Sequence, residues 1–70
     1  MKRDAVTSSC VICIGYDPAS RTLEVEYANG RVYRYYGVEA ETFRALMQAP
    51  SKGKYLNAHI RDAYPYSKMG

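Results

Sequence analysis

The 70 residues contain no tryptophan, one histidine, three prolines and five glycines. So little proline and glycine excludes a collagen-like or low-complexity chain, and a 47% hydrophobic content argues against disorder. Long apolar runs are missing too. The longest, Cys10-Val11-Ile12-Cys13-Ile14, has five residues, where a membrane span needs about 18. The basic start, Met1-Lys2-Arg3-Asp4, leads into no apolar stretch, so a secretory signal is not expected and a cytoplasmic location is. No Ser-His-Asp order, Walker loop, dinucleotide fingerprint or metal-ligand cluster stands in the sequence. The expectation is therefore a non-enzyme with no cofactor.

What the chain does have is tyrosine: eight, beside a single phenylalanine. Tyrosine carries an apolar ring and a polar tip, which suits half-buried positions and contact surfaces alike. Charge is the second feature. The net charge is +3, and it is uneven. Residues 1–30 carry three basic and four acidic groups, whereas residues 31–61 carry Arg31, Arg34, Arg44, Lys52, Lys54 and Arg61 against Glu39 and Glu41. A basic half attracts phosphate or acidic protein surfaces through its summed field, although a solvated surface accounts for a modest excess equally well.

Cys10 and Cys13 have the spacing of a redox pair or of half a zinc site. They fall in an apolar, β-branched segment, where residues i and i+3 point to opposite faces of a strand and the sulfurs diverge. Zinc takes four ligands, and His59 is the one further candidate. Two small, buried, reduced side chains are expected, and no metal.

Pattern predicts α+β architecture: a three-stranded antiparallel meander followed by two short helices packed on one face. The first strand covers about 11–16 and ends in a turn at Asp17-Pro18-Ala19-Ser20, where proline presets φ. Residues 22–27 alternate, with Leu23, Val25 and Tyr27 on one face and Glu24 and Glu26 on the other. The return strand covers 31–36. Phe43, Leu46 and Met47 give helical spacing over 39–48, and Pro50 ends that helix. Ser51 is a good N-cap for a second helix to about Ala63, with Leu56, Ile60 and Tyr64 inward. One domain over 8–64 is expected, with an N-terminal arm over 1–7 and a flexible tail over 65–70.

The hairpin register decides what Tyr33 and Tyr35 can do. A two-residue Asn29-Gly30 turn would place them with Glu24 and Glu26, as an exposed aromatic platform. A three-residue loop with Gly30 left-handed pairs Val25 with Tyr33, Leu23 with Tyr35 and Glu24 with Arg34. The second register is preferred, because it sets apolar against apolar and acid against base. Tyr33 and Tyr35 are then mainly structural.

Ser8-Ser9, Ile14-Gly15-Tyr16-Asp17, Leu23-x-Val25-x-Tyr27, Gly30 and Tyr33-x-Tyr35 occur in this order. They continue into Leu46, Ala49, Ser51-x-Gly53-x-Tyr55-Leu56-Asn57, Ile60-Arg61 and Tyr64-Pro65. The ordered set, spanning about residues 6–65, resembles the KTSC domain family. That family takes its name from an appendage at the C-terminus of some lysyl-tRNA synthetases, and also occurs as small free-standing bacterial proteins. The resemblance implies RNA binding, from the synthetase context and the Tyr-x-Tyr motif. Cys10 and Cys13 stand where the family usually has small or polar residues, and Leu56 where an aromatic is common.

The residues themselves direct attention to the second helix. Ser51-Lys52-Gly53-Lys54-Tyr55 combines an N-cap, free backbone N–H groups, a glycine and two cations, all suited to an anion. The same residues also serve as an ordinary helix cap. Lys52, Lys54, Arg61 and Arg34 are the candidates for phosphates, and Tyr55 or Tyr36 for stacking on a base. The expected partner is RNA, either tRNA or rRNA. The alternative is a protein partner or a second copy, held through exposed Tyr36, Tyr55 and Tyr66.

Overall fold

The loop after Tyr27 fixes the centre of the sheet. In the computed structural model, Gly30 is left-handed at φ +87° and its N–H donates to the Tyr27 carbonyl at 2.9 Å. The Tyr27 N–H in turn donates to the Arg31 carbonyl at 2.8 Å, and Asn29 Oδ1 accepts from the Arg31 N–H at 3.0 Å. This is the three-residue loop, and the pairs that follow are Val25–Tyr33, Glu24–Arg34 and Leu23–Tyr35. The register expected from cross-strand chemistry is the one adopted.

The structure describes residues 3–6 and 9–70. Met1, Lys2, Thr7 and Ser8, which include part of the expected arm and one serine of the motif, lie outside the described residues. The strands are β1 (Arg3–Ala5), β2 (Val11–Asp17), β3 (Thr22–Tyr27), β4 (Val32–Tyr36) and β5 (Tyr66–Lys68). The helices are α1 (Ala40–Gln48) and α2 (Lys52–Tyr55), the latter running on as a π-helical segment, Leu56–Ile60.

The sheet has five antiparallel strands in the order β1-β2-β3-β4-β5, so the three-stranded expectation undercounts it. Both additional strands come from segments expected to lie outside the fold. Arg3–Ala5 has no apolar alternation, and exposed charged side chains are typical of an edge. Pro65 leads into β5 rather than a frayed tail, its carbonyl accepting from the Tyr36 N–H at 2.9 Å. At the other end of β5 the Met69 N–H donates to the Val32 carbonyl at 2.7 Å. A proline just ahead of an edge strand loses no ladder donor.

Asp17 shapes the β2–β3 turn, as its side chain accepts from Ser20 Oγ and from the Ala19 N–H, each at 3.0 Å. Further along β2 a bulge at Ile12 shifts the pairing, so that Val11 meets Tyr27 and Cys13 meets Glu26. The bulge leaves Ile12 exposed while Val11 turns into the core.

Both helices pack on one face of the sheet. Val11, Ile14, Leu23, Val25 and Tyr35 from the strands meet Val38, Leu46, Leu56 and Ile60, and all nine are buried. Each aliphatic side chain buried in this way contributes about 1.5–3 kcal/mol. Tyr16 stacks on Phe43 at 4.7 Å and donates its hydroxyl hydrogen to the Val38 carbonyl, tying β2 to α1. Tyr64 bridges back to α1, donating to Glu39 Oε2 at 2.9 Å. Regular α-helix ends at Tyr55, short of the expected Ala63, and a wide turn follows in which the Arg61 N–H donates to the Leu56 carbonyl at 2.9 Å. Among the described residues no helix is long and apolar enough to cross a membrane.

Candidate functional site

Alternation along β4 separates the candidate residues onto two faces. Tyr33 and Tyr35 point toward the helices, and Arg34 and Tyr36 point away from them. On the outer face Arg34 Nε meets Glu24 Oε1 at 2.9 Å. Arg3 supplies a second guanidinium, with Nε 2.9 Å from Glu24 Oε2 and Nη1 3.0 Å from Glu26 Oε1. Arg3 pairs with Gly15 and Gly15 with Glu24, so the arginine crosses a position without a side chain to reach its acid. Glu24 is buried beneath the two cations. Arg34 is thus committed to an ion pair, and Tyr36 lies across the sheet from the second helix.

The cysteines diverge, and neither is buried as expected: Cys10 is exposed and Cys13 half-buried, because Cys13 faces the outer side of the sheet and Cys10 precedes β2. Cys10 lies against Gly53, where an added Cβ would stand 3.3 Å from the Cys10 Cβ. Cys13 is on the outer face and donates to Glu26 Oε1 at 3.2 Å. Burial first, and the Glu26 carboxylate second, push its thiol above the ordinary value.

At the start of α2 the Ser51 Oγ accepts from the Lys54 N–H at 3.2 Å, a standard cap. Lys52 Nζ donates to the Ala49 carbonyl at 2.6 Å, at the end of α1. Gly53 makes room for Cys10. Ser51, Lys54 and Tyr55 border a broad, mostly apolar hollow with Ala49, Pro50, Ala58 and His59, and the Tyr55 ring lies 4.6 Å from that of His59. Arg61 is not among them.

Arg61 belongs to a different surface. It lines a hollow of about 110 Å³ with Tyr27, Asn29, Arg31 and Tyr33. A second hollow of about 80 Å³ adjoins it, lined by Tyr33, Tyr35, Arg61, Asp62 and Tyr66. Tyr33 and Arg61 are common to both, so the two form one groove along the helix-facing side of β4. Four tyrosines pack along it. Tyr27 and Tyr66 each meet Tyr33 edge-on at 5.6 Å, and Tyr27 and Tyr35 share a hydroxyl hydrogen bond of 2.9 Å. Burial, then the bond to Tyr35, holds the Tyr27 phenol far above the ordinary tyrosine value. Tyr35 is raised as well, chiefly by burial. Tyr35 is fully packed, Tyr27 and Tyr33 are half-buried, and Tyr66 is 58% exposed.

The sequence alone groups Arg61 with the helix start and joins neither Arg31 nor Tyr27 to any site. The available signal was the register itself, which sets Tyr27, Tyr33 and Tyr35 on one face. What it could not carry is the wide turn, because a π segment rotates the residues after it relative to a regular helix.

A family model described as the KTSC domain matches residues 7–64. The chain belongs to the KTSC domain family. A crystal structure of a KTSC domain protein from Yersinia pestis superposes with a TM-score of 0.92 at 36% identity, covering 99% of this chain and 97% of that one. An uncharacterized protein of Stutzerimonas stutzeri is 46% identical over 57 residues, 81% of this KTSC domain chain and 80% of its relative. A lysine–tRNA ligase of Nostoc sp. is 33% identical over 54 residues, which are 77% of this chain and 10% of the ligase.

Proposed function

We propose that this KTSC domain is a small RNA-binding accessory domain whose contact surface is the groove of Tyr27, Tyr33, Tyr66, Arg31 and Arg61. The observation that carries the reading is that two arginines and a row of tyrosines line one concave strip. Rings that offer a face to bases and cations that meet phosphates are the two parts a single-stranded RNA site needs. The kinship with a segment of lysine–tRNA ligases, enzymes named for acting on tRNA, supports the same class of partner. Ser51, Lys52 and Gly53 serve the fold through the contacts described above. Lys54 is exposed and adds a cation near the second helix's start.

The test is a titration of the whole chain with single-stranded RNA at several salt concentrations. Affinity falls as salt rises, and Arg31→Glu with Arg61→Glu abolishes binding. Each lost phosphate contact reduces the slope of log affinity against log salt by about 0.7. Equal affinity in the parent and the Arg31→Glu, Arg61→Glu variant would remove the groove from the interface. Salt-insensitive self-association without RNA binding would favour a protein-contact role for Tyr36, Tyr55 and Tyr66 instead.

A further inference from the structure

The groove has an electrostatic direction. Arg31 stands just before β4 and Arg61 just after the π-helical segment, and both line the first hollow. Among the described residues lining that hollow none is acidic. Arg3 and Arg34 are neutralised by Glu24 and Glu26, whereas neither Arg31 nor Arg61 forms an ion pair among the described residues. Arg61 Nη1 is held at 2.8 Å by the neutral oxygen of Asn57, which orients the guanidinium without cancelling its charge. The second hollow is different: it has Asp62 on its wall and the exposed ring of Tyr66 at its edge.

A strand running straight through the groove would carry its next phosphate toward that carboxylate. A strand that ends there would not. We propose that the Arg31–Arg61 hollow binds the terminal phosphate of a single-stranded RNA, a phosphomonoester, with the sugar and base of the same nucleotide lying across Tyr33 toward Tyr66 and Asp62. Two guanidiniums match the double negative charge of a monoester better than the single charge of an internal diester. Asp62 accepts from ribose hydroxyls or an exocyclic amine and repels a second phosphate. The inference rests on the RNA-binding reading for the source of the phosphate, and it adds that the site selects chain ends.

The experiment compares one short single-stranded RNA in three forms, 5′-phosphorylated, 3′-phosphorylated and with hydroxyls at both ends. Adenosine monophosphate and inorganic phosphate are titrated in parallel, with binding read by fluorescence anisotropy and by NMR shifts of the full chain. One phosphorylated form binds about tenfold more tightly than the hydroxyl form, the scale of one charge-assisted contact. Which of the two it is identifies the end that is selected. Arg61→Gln erases the difference, while Arg44→Gln, an exposed change of equal charge on α1, preserves it. Asp62→Asn narrows it by letting the hydroxyl form bind better. Equal binding of all three RNAs overturns end selection and leaves the RNA reading intact. Shifts at the groove with the mononucleotide or phosphate but none with RNA overturn the RNA reading and retain a phosphate pocket. No response to any of them overturns both.

Discussion

Glu24 shows how much one side chain can organise in so small a domain. Its side chain is 8% exposed and would be costly to bury alone, but guanidiniums from β1 and β4 reach it from either side. Removing the acid leaves two cations that are 35% and 40% exposed and can rehydrate. Glu24→Ala should therefore cost about 1–2 kcal/mol, below the 3–5 typical of a fully buried pair. Urea unfolding checks the figure. Gly15→Val should cost a similar amount, since a branched side chain would stand in the path of Arg3. Half of this cluster was legible in the sequence: the Glu24–Arg34 pair follows from the hairpin register alone. Arg3 was not, because its partner lies two strands away and a three-residue charged strand carries no periodicity.

At the scale of elements, the second helix is defined by what approaches it. Gly53 in its first turn reads equally as an opening for an anion or as room for a neighbour, and the neighbour is Cys10. Overpacking there predicts a loss of about 1–3 kcal/mol for Gly53→Leu. The double variant with Cys10→Gly should recover part of that loss, a coupling a denaturation cycle measures directly. If the two changes add independently, the contact has no energetic weight. The helix start and the inward residues Leu56 and Ile60 follow from capping and spacing. The wide turn that ends the helix does not, because its signature is a backbone hydrogen bond, not a side-chain pattern. β5 is illegible in the sequence for a related reason: a proline and a short polar run read as an ending, and only pairing with β4 makes them a strand.

For the whole molecule, pH acts from both sides. Asp17 is held below the ordinary value first by the Ser20 hydroxyl and then by the Ala19 N–H. Glu39 is held low by its own N–H and then by Tyr64. A depressed carboxylate stabilises the fold above its unfolded value, near 4, and that contribution is lost as pH falls through the lower folded value. Tyr27 and Tyr35 act oppositely. Their raised values stabilise the fold fully below the unfolded tyrosine value near 10, and the contribution is lost as pH climbs toward the folded ones. Thermal melts across pH should show a plateau falling away below about 4 and above about 10. Alkaline difference spectra should show the buried tyrosines ionising together with unfolding, and early ionisation in the folded chain would contradict the packing. The order of the strands also bears on how such a domain is joined to others. β1 and β5 are the two edges of the sheet, four inter-strand steps or about 19 Å apart. A neighbour attached ahead of β1 would therefore hang from the far side and leave the groove in open solvent. One attached after Gly70 would emerge beside Val32, next to Arg31, and shade the first hollow. The two ends are not equivalent places to build on, and fusing a bulky protein to each in turn would switch the groove between open and screened without altering a residue in it.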